Sequence, residues 1–268
     1  MDALNTRSVP SLERALLLLE VLAKSANGLT LSQLARQLAL PKSSLHCLLL
    51  TFERAGYLYR EDQTGRFRFG LKLHGLANLA ITGIPLRKIA TPCLHALAQK
   101  TRMTTHMAIL EQDEAVLVEK VEPLGMPRLA TWVGKRMDLH CTALGKALIA
   151  ELPDEDLDRL LQRQTLLRHN ENTIVSPRKL KENLAHVRRL GYSLDDEEEE
   201  IGSRCIGAAV RGGDGRVQAA ISIAGTVTQV DGERLAALAQ DVRRTAEQIG
   251  HRLAAETAAA AAADGDAV

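Results

Sequence analysis

The segment Leu31-Ser-Gln-Leu-Ala-Arg-Gln-Leu38 is apolar at Leu31, Leu34, Ala35 and Leu38, the three- and four-residue spacing of one helical face. After only Ala39 and Leu40 the chain restarts at Pro41 with Leu45, Leu48, Leu49 and Phe52 on the same spacing, and Gly56 closes that run. Eight residues make too little helix to persist alone, so the spacing predicts two short helices, 31–38 and 41–55, packed across a tight turn. Thr30 suits the cap of the first, and Pro41 the first turn of the second. A leucine-rich helix follows the turn formers from Ser8 and stops at Asn27-Gly28. The 41–55 helix is polar where it begins: Lys42, Ser43, Ser44, His46 and Cys47 fall outside its apolar stripe.

Tyr57-Leu-Tyr and Arg66-Phe-Arg-Phe69, joined by Asp62 to Gly65, read as a hairpin with Phe67 and Phe69 toward the body and Arg66 and Arg68 toward solvent or phosphate. A support helix, a tight turn, a polar-fronted second helix and an Arg-bearing wing together predict a winged helix-turn-helix. Its second helix fits a major groove about 12 Å wide. Lys42, Ser43 and Ser44 stand close enough to the helix start to meet phosphates, and Ser44, His46 or Cys47 to approach base edges. Taken singly, each has a plainer role: the serines as helix starters, the arginines as strand-edge charges, His46 as a surface residue. Residues 1–75 carry ten Lys and Arg against six Asp and Glu, while the remainder is slightly acidic, so phosphates are met at the front of the chain. Aromatic residues are only 3% of the chain, which argues against stacking on single strands or RNA.

With 268 residues, 46% hydrophobic and 25% charged, the chain has room for a larger second unit. The expected division is a DNA-binding domain at 8–70, a linker helix at 71–84, an α+β domain at 85–254 and a low-complexity Ala-rich tail at 255–268. The linker's apolar surface predicts cover from another subunit. In the second unit, strand patterns at 103–110, 115–121, 205–210 and 217–223 alternate with helical patterns at 85–100, 142–151, 153–161, 176–190 and 229–254, and Arg128 to Trp132 leads into a Gly134 loop. Cys47, Cys93, Cys141 and Cys205 form no CxxC pair, so neither a disulfide scaffold nor a zinc module is expected, and no cofactor motif occurs. No apolar run reaches membrane-spanning length, and a reducing cytoplasm is the expected location.

Two segments of the second unit carry chemistry. In Leu139-His-Cys-Thr-Ala-Leu-Gly-Lys-Ala147, Thr142 caps a helix on which Ala143, Gly145 and Ala147 permit close backbone approach. Lys146 is expected on a solvated helix face. His140 and Cys141 face a pocket or finish a strand. The six acids Asp195 to Glu200 repel one another and are expected in a solvated loop. Asp195 and Cys205 differ in standing at the loop's edges beside strands, where a carboxylate and a thiol can line a recess. These groups come without a nucleophile elbow, metal motif or cofactor loop, so an enzyme is not expected.

The pieces Leu31 to His46, Gly56-Tyr-Leu and Thr64-Gly-Arg-Phe-Arg-Phe-Gly-Leu71, with Gly134 to Ala147, Gly191 to Glu198, Gly202 to Val210 and Ala220 to Gly225, closely resemble the IclR family of bacterial transcriptional regulators. The resemblance runs from about Ser8 to Ala254. The family often has Arg where Cys47 stands, and an apolar residue followed by Pro where Met137-Asp138 stands. The resemblance implies an α+β fold in which a winged helix-turn-helix is followed by a GAF-like domain that binds small effectors, often organic acids or aromatic catabolites. It places Asp195, Cys205 and, more weakly, Ser222 in the effector pocket. It also implies homodimers on double-stranded operator DNA with paired half-sites, themselves joined as dimers of dimers on chromosomal DNA. Occupancy then changes DNA affinity or contact with RNA polymerase. An alternative stays open in which the C-terminal domain serves assembly and senses nothing.

Overall fold

The computed structural model describes residues 8–125 and 129–265, with side chains to residue 259. Arg128, at the head of the 128–132 stretch, and the last three residues of the tail lie outside the described residues. Two compact units divide between Gly83 and Ile84.

The first unit contains α1 (Pro10–Ala23), β1 (Leu29–Thr30), α2 (Leu31–Leu38), α3 (Lys42–Arg54), β2 (Leu58–Arg60), β3 (Arg66–Phe69) and α4 (Leu71–Thr82). Thr30 and Gln33 form a reciprocal capping box at the start of α2. Ala39 turns the chain in the left-handed conformation at φ 51°, and Pro41 stands just outside α3 as its N-cap. Leu18, Leu22, Leu34, Leu45, Leu49, Leu58 and Phe67 make the small core. β3 lies between β1 and β2, so the wing is pinned on both sides. Phe69, expected to face the body, is exposed instead, because at the end of β3 it passes the core and meets the groove between α1 and α4.

The second unit is a six-stranded antiparallel sheet in the order β6-β5-β4-β9-β8-β7. Its strands are β4 (Thr104–Glu111), β5 (Glu114–Val121), β6 (Arg136–Met137), β7 (Ser193–Asp196), β8 (Ser203–Arg211) and β9 (Val217–Thr226). α5 (Pro85–Thr101) and α9 (Gly232–Gly265) cover one face, with Met107, Ile206, Ile221 and Ile223 pointing into their core. α6 (Ala143–Ile149), α7 (Asp154–Arg163) and α8 (Pro177–Leu190) cover part of the other over Ala108, Leu117 and Ala220.

Small residues let α6 sit directly on the sheet. A Cβ on Gly207 would come within 2.6 Å of the Ala143 carbonyl oxygen, and one on Gly145 within 2.4 Å of Leu139 Cα. The close approach expected of this segment is therefore realised, and it seats Lys146 against the β7–β8 hairpin.

Candidate functional site

In the first unit α3 has Leu45 and Leu49 fully buried, whereas Lys42, Ser43, Ser44, His46 and Cys47 are all exposed. Pro41 offers no side-chain cap, so the first-turn amides of α3 remain open to an anion. The wing arginines are less free than their strand phase implied. Arg66 is half-buried and its Nη1 donates to the Gly28 carbonyl at 2.9 Å, tying the wing to the turn after α1. Arg68 faces Glu61 at 3.7 Å, and its Nε has no hydrogen-bond partner among the described residues. Arg60 is exposed and lies over the Phe67 ring at 5.8 Å, a basic residue of the wing that the sequence reading passed over.

In the second unit the antiparallel register sets two rows across four strands. Asp195, Cys205, Ala224 and Thr104 stand opposite one another, and two residues along each strand stand Ser193, Gly207, Ser222 and His106. Paired residues and their i+2 neighbours share a face, so both rows look away from α5 and α9. A recess of about 560 Å³ opens at the Thr104 and Ala224 end, lined also by Arg102, Leu129, Ser203 and Gln229. The register thus brings Asp195, Cys205 and Ser222 to one face. Asp195 and Ser222 are buried and Cys205 is half-buried, and none of the three is among the residues that line the recess.

The six-acid run is not a uniformly solvated loop. Asp195 and Asp196 belong to β7, Asp195 and Glu198 are buried, and the chain folds tightly over them. Asp195 Oδ1 accepts the Glu198 amide at 2.9 Å and the Glu199 amide at 3.4 Å. Lys146, expected in solvent, is completely buried and donates to Glu198 Oε1 at 2.5 Å. The other Glu198 carboxylate oxygen is buried with no partner among the described residues. The helical spacing around Lys146 carries no sign of this, because the countercharge lies on a hairpin 52 residues away. His140 and Cys141 finish no strand; they lie in the turn before α6.

Burial pushes Asp195 up to about 7, against the pull of its two amide donors and Lys146. Burial likewise raises Glu198 and pushes the Cys205 thiol up to about 12. His106 is pushed down to about 4, first by burial and then by Lys120; its Nε2 is 2.9 Å from Thr131 Oγ1. The sequence reading missed His106, although a polar residue among the apolar positions of β4 was its visible signal.

These shifts fix a pH signature. Between its unfolded value of 3.8 and its folded value of about 7, Asp195 holds more proton in the folded chain, so its contribution to stability is lost as pH rises through that window. His106 acts with the opposite sign between about 4 and 6.5. Comparing the wild type with Asp195→Asn isolates the first effect. The variant should gain on the wild type as pH rises from about 4 to 7 and then hold a constant lead. Urea midpoints across that range measure it, and a pH-independent difference would mean that Asp195 does not titrate there.

An exposed, polar-fronted helix beside a wing, followed by an α+β domain with a recess, is the build of a DNA-binding regulator of transcription. A family profile described as "Bacterial transcriptional regulator IclR C-terminal" matches residues 78–251, and one described as "IclR helix-turn-helix domain" matches residues 11–62. The chain is 33% identical over 246 residues to the transcriptional repressor IclR of Escherichia coli K12, covering 91% of this chain and 90% of that protein. It is 35% identical over 228 residues to the regulator XynR of the same organism, covering 85% and 90%. The crystal structure of an IclR homolog from Microbacterium hydrocarbonoxydans, complexed with 4-hydroxybenzoate, superposes with a TM-score of 0.77 at 27% identity, over 91% of this chain and 99% of that one. The protein belongs to the IclR family of bacterial transcriptional regulators. Among the described residues no helix is long and apolar enough to cross a membrane.

Proposed function

We propose that two copies of the chain place their α3 helices in successive major grooves of an operator with paired half-sites, and that a small carboxylic acid in the C-terminal recess alters that binding. The observation that carries the DNA half is the split character of α3: Leu45 and Leu49 anchor it while five consecutive-turn side chains from Lys42 to Cys47 stand free. Lys42 and the open first-turn amides serve phosphate, and Ser44, His46 and Cys47 lie where base edges are read. Arg68 and Arg60 serve the wing, with Arg66 holding it in place.

The effector half rests on the recess and on the buried Asp195, Glu198 and Lys146 group of the same domain. Asp195 near pH 7 is partly neutral and can donate to a ligand carboxylate, which removes the conflict between an acidic pocket and an acidic ligand. Cys205 and Ser222 supply weaker polar contacts on the same face. The 4-hydroxybenzoate complex of the Microbacterium homolog supports an aromatic acid as the first probe.

Selection of fragmented host genomic DNA by the purified protein, against excess nonspecific DNA, is expected to recover promoter fragments with half-sites about one helical turn, roughly 34 Å, or a multiple of it apart. Adding 4-hydroxybenzoate or a related acid should shift affinity by about 5- to 150-fold. No enriched fragment would sink the operator reading, and affinity indifferent to a broad set of acids would favour a C-terminal domain that serves assembly alone.

Charge removal gives a finer check on α3 and the wing. Lys42→Ala and Arg68→Ala should each weaken specific and nonspecific DNA alike and flatten the log–log salt dependence by about 0.9 per lost phosphate contact. An unaltered slope would remove that residue from the phosphate set.

A further inference from the structure

We propose that the turn before α6 and the loop after α7 form a binding site for one divalent transition metal of the zinc class, held by Asp138, Cys141 and His169. The side-chain oxygen, sulfur and nitrogen of these three residues all lie within 4.8 Å of one another. Ligand atoms around tetrahedral zinc are about 3.3–3.6 Å apart, from bond lengths near 2.0–2.3 Å, so closing the site takes movements of about 1 Å. His169 Nε2 donates to Asp138 Oδ2 at 2.8 Å, and a cation replaces that shared proton as the two atoms spread apart.

The frame that carries these donors is held on both sides. The Asp138 carbonyl accepts from Thr142 Oγ1 at 2.7 Å, which ties the turn to the start of α6. His140 Nε2 donates to the Leu167 carbonyl at 2.9 Å, and its ring stacks on His169 with centroids 6.4 Å apart. The His169 amide donates to Thr173 Oγ1, which itself donates to the Glu198 carbonyl at 2.8 Å. The histidine is therefore presented by a loop bonded to both the α6 turn and the β7–β8 hairpin, the kind of support that orients metal ligands.

Charge and access agree with the geometry. Burial first, and then the negative charges of Asp138, Glu199, Asp195 and Glu198, raise the Cys141 thiol; the same negative charges favour a cation beside it, while Lys146 and Lys135 partly offset Glu198 and Glu199. Cys141 is buried, but Asp138 and His169 border solvent and leave a way in. A mixed set of thiolate, imidazole and carboxylate suits zinc or cobalt rather than magnesium or calcium. Three protein ligands leave a fourth position for water or another oxygen donor.

Cobalt titration of the chelator-treated full-length protein tests the site without reference to DNA or effector. One cobalt per chain is expected, with thiolate-to-metal charge-transfer absorption and the strong visible bands of a four-coordinate ion, both erased by added zinc. Cys141→Ala should abolish the charge-transfer band. Asp138→Asn and His169→Gln, both at the solvent edge, should weaken binding by more than the roughly 10- to 100-fold that loss of a supporting partner costs. Unchanged circular dichroism in these two variants separates ligand loss from misfolding. Absence of a charge-transfer band in the wild type, or an unchanged cobalt affinity in both solvent-edge variants, would overturn the proposal.

Discussion

Lys146→Met is expected to lower the unfolding free energy of the C-terminal unit by about 3–5 kcal/mol, because it leaves the buried Glu198 carboxylate without its cation. Lys146 is wholly buried and its ammonium sits 2.5 Å from Glu198 Oε1, so solvent screens little of their attraction. The cost of the variant is the stranded charge rather than the worth of the pair. Replacing both partners, as Lys146→Met with Glu198→Leu, should therefore recover most of the loss. The single variant should also regain stability as pH falls, since burial already raises Glu198 and its protonated form needs no counterion. The chain has one tryptophan, Trp132, and it lies in the second unit, so its fluorescence during urea unfolding follows the relevant transition. A loss below about 1 kcal/mol would place the Glu198 charge in a better-solvated setting than the structure describes.

Leu76→Asp with Leu79→Asp should cost on the order of 100-fold in affinity for DNA bearing two half-sites, with little change for DNA bearing one. The twelve residues of α4 include none that is buried, and Leu71 and Leu79 are 89% and 69% exposed. The exposed Leu12, Leu16 and Leu17 of α1 belong to the same small unit, and a groove of about 620 Å³ runs between Leu19, Ala23, Phe69, Leu71 and Ala77. An apolar surface of this kind on a folded domain marks an interface, and under the proposed binding to paired half-sites a second copy of the chain is the expected partner. Linking two weak readers on one duplex supplies the affinity that one short recognition helix lacks. Because Leu76 and Leu79 are both exposed within their own chain, the variant should keep its circular dichroism. A two-site to one-site affinity ratio unchanged by the substitutions would exclude α4 from the pairing of the DNA-binding domains.

The local elements of the first unit were open to reading because they rest on short-range rules. Leu31–Leu38 coincides with its apolar spacing, and Thr30 caps it as the residue type required. Pro41 fell just outside α3, where its extended φ and ψ serve the turn. In the second unit, the six-acid run misled because neighbouring like charges argue for solvent, whereas Asp195 escapes by accepting two amides and Glu198 by pairing with Lys146. Lys146 misled for the same reason: a lysine on a short helix reads as solvated until its partner is known.

Periodicity, caps and turn residues along the chain were thus enough to determine a winged helix-turn-helix and an α+β unit, since those signals act over a few residues. Tertiary structure alone decided which charges are buried, which arginine of the wing is tied down, and that Asp138, Cys141 and His169 meet. Except for Asp195, which its own hairpin satisfies, these outcomes depend on encounters between segments 28 to 52 residues apart, as with Cys141 and His169 or Lys146 and Glu198. Their energies come from desolvation and pairing across the fold, which no local pattern of side chains expresses.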